Sequence, residues 1–271
     1  MNPNPSKTPA PAAVRRRAKV LAVTSGKGGV GKTFVSANAA AALAKRGLRV
    51  LVLDADLGLA NLDVVLNLYP KTTLHDVFTG KARLEEAILP APGGFSVVLA
   101  GSGMVEYSRL TAEVREQFHQ VIQTLLPRFD VIILDTGAGI SDVVLYALSL
   151  ADEILLVATP EPTSLTDAYA TVKVLAAQQR RQSIRLLINQ TLKMGDGRAI
   201  AGQLQRVVDR FISGPSGTPV RLVHVGDIPL DNAVREAVQR RQLLFATQPG
   251  CAAAVAMSGL ASRLEDFLVE R

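Results

Sequence analysis

Short runs rich in Val, Ile and Leu recur along the chain: KVLAVT (19–24), RVLVLD (49–54), FSVVLA (95–100), DVIILD (130–135), EILLVA (153–158), IRLLIN (184–189) and VRLVHV (220–225). Each has the length of a strand and little polar interruption, the pattern of strands covered on both faces. Between them lie VSANAAAALAKRG, AEVREQFHQVIQTLL, SDVVLYALSLA, DAYATVKVLAAQQ and RAIAGQLQRVVDRFI, with apolar residues at spacings of three and four. Segments of that period lay one helical face on a sheet. The alternation predicts an α/β fold: a single domain with a mostly parallel, twisted sheet of about seven or eight strands and helices on both faces. In such sheets the loops after the strands converge on a ligand crevice at one edge, so the chemistry is expected there.

Composition sharpens this picture. A chain of 271 residues with 48% hydrophobic content can bury one sizeable core. The opening MNPNPSKTPAPAA has no apolar segment, so it reads as neither signal peptide nor membrane anchor. With the basic Arg15, Arg16 and Arg17 it makes residues 1–18 an expected disordered tail, leaving 19–271 as the domain. No later apolar run reaches the ~18 residues of a membrane span. The single cysteine, Cys251, excludes an intramolecular disulfide and a four-thiolate zinc site, and it fits a reducing cytoplasm. His75, His119 and His224 lack metal-ligand spacing, so packing or surface roles are expected for them and for Cys251. The net charge of +6 owes much to Arg15, Arg16, Arg17 and Lys19. A basic cluster of this kind is ordinarily solvated; a weak contact with an anionic membrane face or a polyanion stays open.

Directly after the first run stands Gly26-Lys27-Gly28-Gly29-Val30-Gly31-Lys32-Thr33, which satisfies G-x-x-x-x-G-K-[ST] and opens a helix expected from Phe34 onward. The glycines let backbone N–H groups face a phosphate, and the helix N-terminus adds favourable partial charge. Lys32 is expected to reach the β- and γ-phosphates and the Thr33 hydroxyl to coordinate Mg²⁺. Lys27 is a second lysine that one loop does not need for one triphosphate.

Two acidic clusters follow strands that end beside this loop: Asp54-Ala55-Asp56 and Asp135-Thr136-Gly137-Ala138-Gly139. Phosphoryl transfer to water needs a cation to gather the phosphate oxygens and a group to orient the attacking water. Asp135 is expected to hold Mg²⁺, Asp56 to act on the water, and Asp54 to support the magnesium shell or the loop. A lone Asp after a strand is usually a cap; two clusters beside a phosphate loop favour chemistry.

SGKGGVGKT, VLVLDADLGLANLD and LDTGAGI together resemble the deviant-Walker-A P-loop ATPases of the MinD and ParA group, from about Lys19 to the C-terminus. GSG (101–103), DTGAGISD (135–142) and TPEPTSLTDAYA (159–170) resemble the branch of flagellar number regulators called FlhG, FleN or YlxH. The resemblance implies a slow, partner-stimulated ATPase that dimerises with ATP. It implies that Lys27 crosses to the partner's phosphates, that Lys32 and Thr33 serve their own nucleotide, and that Asp56 activates water. Asn189 and Pro229 match positions that resemble adenine-binding segments. The implied partners are a second copy of the chain and flagellar regulator or assembly proteins. The DQAxxLR motif through which many relatives stimulate the flagellar GTPase FlhF is missing, so the resemblance leaves that partner open.

A peripheral place at the inner face of the cell membrane would call for an amphipathic C-terminal helix. AMSGLASRLEDFLVER carries Leu260, Leu264, Phe267 and Leu268 on one face, yet its last ten residues set Arg263 and Arg271 against Glu265, Asp266 and Glu270. Membrane-surface helices usually carry a basic polar face, so a helix closing the core is expected here. The alternative function is a ParA-like partition ATPase that binds DNA non-specifically as an ATP dimer, read out by salt-sensitive DNA binding. A metabolic enzyme of the same fold is a third class; one cysteine speaks against an iron–sulfur reductase.

Overall fold

A computed structural model describes residues 17–58, 61–101, 109–193, 195–213 and 219–269. Residues 1–16 of the expected tail, 59 and 60 of the LGLANLD segment, 102 and 103 of GSG, and the last two residues lie outside it.

In chain order, β1 (Lys19–Ser25), α1 (Lys32–Lys45) and β2 (Val50–Ala55) lead into three short helices, α2 (Leu62–Leu66), α3 (Leu74–Phe78) and α4 (Leu84–Ala87). A brief hairpin of β3 (Leu89–Pro90) and β4 (Ser96–Val98) precedes α5 (Ala112–Leu125) and β5 (Val131–Ala138). Then α6 (Asp142–Ser149), β6 (Glu153–Ala158), α7 (Pro162–Gln179), β7 (Ser183–Thr191), α8 (Asp196–Val208) and β8 (Arg221–Pro229) alternate. The chain closes through α9 (Asn232–Gln239), α10 (Leu244–Thr247) and α11 (Ala252–Leu268).

The strands form one eight-stranded sheet in the order β3-β4-β2-β5-β1-β6-β7-β8. Every pairing is parallel except β3 with β4. The hydrophobic runs locate seven of these strands; β3, two residues long and ending in proline, is the eighth. Successive strand residues feed opposite cores. Val20, Ala22, Leu51, Leu53, Ile132 and Leu134 meet α5, α6, α7 and α8 on one face. Leu21, Val23, Val50, Val52, Val131 and Ile133 meet α1, α9, α10 and α11 on the other. This is why the strands read as continuous apolar runs rather than as alternating ones.

The C-terminal helix takes the core-closing role its charges suggest. Leu260, Leu264 and Leu268 are buried against α1's face of the sheet, and Phe267 lies under the Arg185 guanidinium, 4.3 Å from the ring centre. Cys251 caps this helix, its sulfur accepting from the Ala254 N–H at 3.4 Å. Among the described residues no helix is long and apolar enough to cross a membrane. At the other end, Ala18 is fully buried and donates its N–H to the Leu126 carbonyl, while Arg17 pairs with Asp152 at 2.8 Å.

Candidate active site

The loop after β1 runs directly into α1, which starts at Lys32, two residues before the expected Phe34. Gly31 is its N-cap and provides no side-chain partner for the first helical amides. Those amides have no intrahelical acceptor, so an anion is their natural complement. Gly31 adopts φ +95, and a β-carbon there would stand 2.5 Å from the Asn189 Nδ2. Glycine is therefore required at this position by both backbone and space. Nothing stands within 4 Å of a β-carbon placed on Gly28 or Gly29, so the loop's outer rim is open. Gly26 is packed the other way, under the Asp167 backbone of α7. Val30 is buried, and its carbonyl accepts from Asn189 Nδ2 at 2.8 Å.

Three carboxylates converge on this N-terminus. Asp54 of β2 and Asp135 of β5 are direct register partners, and both are buried. Burial, then the neighbouring Asp135 charge, pushes the Asp54 carboxyl well above its ordinary range. Burial raises Asp135 to about 6, against the pull of hydrogen bonds from Thr33 and Ser36 and of the Lys32 charge. Lys32 is lowered by burial, while Asp135 and Asp56 draw it back up. Asp54 Oδ1 accepts from the Asp56 N–H at 3.1 Å, but its buried Oδ2 has no hydrogen-bond partner. Asp56, just past β2, faces Gly137: a β-carbon there would lie 3.3 Å from Asp56 Oδ1.

These residues fit a magnesium-bound triphosphate. Among the described residues no group of three or more His, Cys, Asp or Glu is arranged to hold a metal alone. A Mg²⁺ ion commonly takes one or two carboxylates and completes its shell with substrate phosphates and water. Thr33, Asp135 and the unpartnered Asp54 oxygen, beside uncapped helical amides, supply such a partial donor set.

Lys27 lies on the loop's exposed shoulder. Its Nζ meets Glu161 Oε2 at 2.6 Å and Thr163 Oγ1 at 3.0 Å, both at the start of α7. Asn189 and Pro229, at the ends of β7 and β8, line one cleft of about 540 Å³ with Gly31, Phe34, Val234 and Val238. Another cleft, of about 530 Å³ and lined by Lys173, Arg180, Arg181 and Phe211, shares no residue with the phosphate loop. Of the two, the former includes a residue of the phosphate loop, Gly31, and so adjoins the uncapped start of α1.

The structure thus brings Lys32, Thr33, Asp54, Asp56 and Asp135 together and sets Lys27 at the rim. Sequence reasoning missed Ser36, Glu161, Thr163 and the α9 side of the cleft. Ser36 had a signal, since it stands one turn after Thr33 and donates to Asp135 Oδ1 at 2.8 Å. Glu161 and Thr163 fall in the TPEPTSLTDAYA segment, but nothing in it announces a contact with Lys27, 134 and 136 residues away.

Known proteins resemble this chain in sequence and in fold. A family profile described as an AAA domain matches residues 18–193. The antiactivator FleN of Pseudomonas aeruginosa is 42% identical over 249 residues, covering 92% of this chain and 87% of that protein. The flagellum site-determining protein YlxH of Helicobacter pylori is 34% identical over 232 residues, 85% of this chain and 76% of its own length. The solved structure of the septum site-determining protein MinD from Pyrococcus horikoshii, complexed with Mg-ADP, superposes with a TM-score of 0.74 at 27% identity, over 92% of this chain and 96% of its own. The chain belongs to the AAA-domain P-loop ATPases of the MinD and ParA type, and within them to the FlhG-like branch.

Proposed function

We propose that the chain is a molecular switch that binds Mg-ATP, dimerises in that state, and regulates the number or placement of flagella. The observation that carries the reading is the convergence of Lys32, Asp56 and Asp135 on the uncapped N-terminus of α1. The flagellar assignment is supported by FleN and YlxH, the latter named for determining the flagellar site.

Each role follows from position. The loop amides and Lys32 neutralise the phosphates, the term that dominates phosphoryl transfer. Thr33 and Asp135 would hold Mg²⁺ with Asp54 behind them, and the bound ion supplies positive charge to the phosphate oxygens. Asp56, beside the space left by Gly137, accepts a hydrogen bond from the attacking water and aligns it. Asn189 and Pro229 would border the adenine. Lys27 is held in cis by Glu161 and Thr163 in the single chain, so reaching a partner's phosphates requires it to leave them.

Phosphate release and light scattering on the same preparation, with Mg-ATP and with Mg-ADP, test this. The expected result is slow turnover and a dimer specific to ATP. A chain that stays monomeric with ATP while hydrolysing it would sink the switch, and one that binds no nucleotide would sink the site.

A further inference from the structure

We propose that Asn189 is a positioning residue for the phosphate loop, bracing it from β7 independently of any contact with a nucleobase. The proposal rests on the nucleotide reading above and deepens it. The Asn189 side chain is buried and engaged at both ends of its amide. Its Nδ2 donates to the Val30 carbonyl at 2.8 Å, and its Oδ1 accepts from the Gln190 N–H at 3.0 Å. A carbonyl on one side and an N–H on the other allow only this orientation of the amide.

The contact sits where the loop becomes the helix. Val30 is followed by Gly31, whose own carbonyl accepts the first helical bond, from Val35 at 3.0 Å. Asn189 Nδ2 also fills the space that a Gly31 side chain would take. The residue that fixes the last turn of the loop therefore comes from a strand 159 positions away in sequence. The backbone at its own end is shaped to hold it: β7 slips register with β8 between Asn189 and Thr191, and Gln190 takes φ +61. A site that must present several amides at once gains from having the loop ordered before the ligand arrives. One Nδ2 hydrogen remains for a base in the cleft, so bracing and base reading are separable jobs of one side chain.

A ligand without a base separates them. Binding of Mg-ATP and of inorganic triphosphate with Mg²⁺ is measured by calorimetry on the full chain and on Asn189→Ala. Loss of a net hydrogen bond to the loop predicts about 2- to 13-fold weaker binding of both ligands, by a similar factor. Asn189→Asp keeps the acceptor for Gln190 and turns the Val30 donor into an oxygen, so it should weaken triphosphate in the same way. It also carries the test if Asn189→Ala fails to fold. Hydrogen exchange in the ligand-free protein should be faster over residues 30–33 in either variant. Val238→Ala, on the far side of the cleft, should weaken ATP and leave triphosphate unchanged. If Asn189→Ala weakens ATP but leaves triphosphate within twofold of the parent, bracing is wrong and base contact alone remains. If the parent binds neither ligand, the nucleotide reading itself has failed.

Discussion

Asp54 and Asp135 stand side by side, register partners on the adjacent parallel strands β2 and β5, with both carboxyl groups buried. Neighbouring positions of parallel strands point the same way, so the two acids face the same space. Two buried carboxyls this close oppose each other's ionisation. The fold tolerates the pair because Thr33 and Ser36 donate to Asp135 and the Asp56 amide donates to Asp54. The remaining cost is of the kind that a bound cation would relieve.

Replacing Asp54 by Asn keeps the shape and removes one acid. The nucleotide-free protein should then be more stable and melt at a higher temperature, because the buried acid no longer has to ionise beside Asp135. Magnesium-dependent ATP binding should weaken in the same variant. Calorimetric melts without ligand, paired with ATP titrations, read both; a lower melting temperature would mean that the carboxyl is needed for the fold.

Lys32→Ala should abolish measurable Mg-ATP binding, because it removes the charge nearest the acids of the site. Lys32 is also the cation beside the buried Asp135. The ligand-free variant should therefore lose stability too, which a melt on the same sample will read. Affinity within a few-fold of the parent would overturn the placement of the phosphates at this loop.

Much of this was legible in the sequence, for identifiable reasons. Strands buried on both faces leave continuous apolar runs, so β1, β2, β4, β5, β6, β7 and β8 could be placed. The phosphate loop has local, spacing-dependent chemistry and reads directly from residues 26–33. β3 was not legible, since two residues carry no period. The short helices α2, α3 and α4 hold too few turns to show one. Contacts between distant segments were also silent: nothing near Asn189 in the chain announces Val30, and nothing near Lys27 announces Glu161. Those pairings are products of the topology, which brings the end of β7 and the start of α7 to the loop that follows β1.

Asp231 tests how the end of the chain is fastened. Its two oxygens accept from the Ala233 N–H at 2.9 Å and the Ala253 N–H at 3.1 Å, so one carboxylate caps α9 and ties it to α11. These amides hold the Asp231 carboxyl below its ordinary range. The contribution is therefore present above the ordinary Asp pKa and fades as the pH falls through the lowered one. Asp231→Ala should cost about 1 kcal/mol at neutral pH, the usual worth of such a cap. Melts of parent and variant without nucleotide should converge toward pH 3; an equal gap at both pH values would assign the loss to packing instead.

Lys27→Ala should separate nucleotide binding from assembly. The exposed pair with Glu161 is worth at most about 1 kcal/mol, so the variant should fold and bind Mg-ATP. Dimerisation and turnover should fail if Lys27 has the proposed role of reaching the partner's phosphates. An undiminished ATP dimer by size exclusion would refute the crossing role.

Asp56→Ala divides binding from chemistry within one subunit. The loop, Lys32, Thr33 and Asp135 are all retained, so Mg-ATP should still be held. The variant loses the carboxylate beside Gly137, the group proposed to orient and polarise the attacking water, an effect typically worth about 10²- to 10⁴-fold in rate. Lys32 also loses one of the two acids that favour its charged form, so a modest change in nucleotide affinity is expected alongside. Hydrolysis should collapse by at least about 10²-fold while the ATP-bound dimer accumulates. Light scattering and phosphate release on one preparation read the two quantities together. Turnover at the parental rate would remove Asp56 from the chemistry. A variant that binds ATP yet stays monomeric would instead show that Asp56 is needed for assembly, and that binding and hydrolysis are not the two ends of one switch.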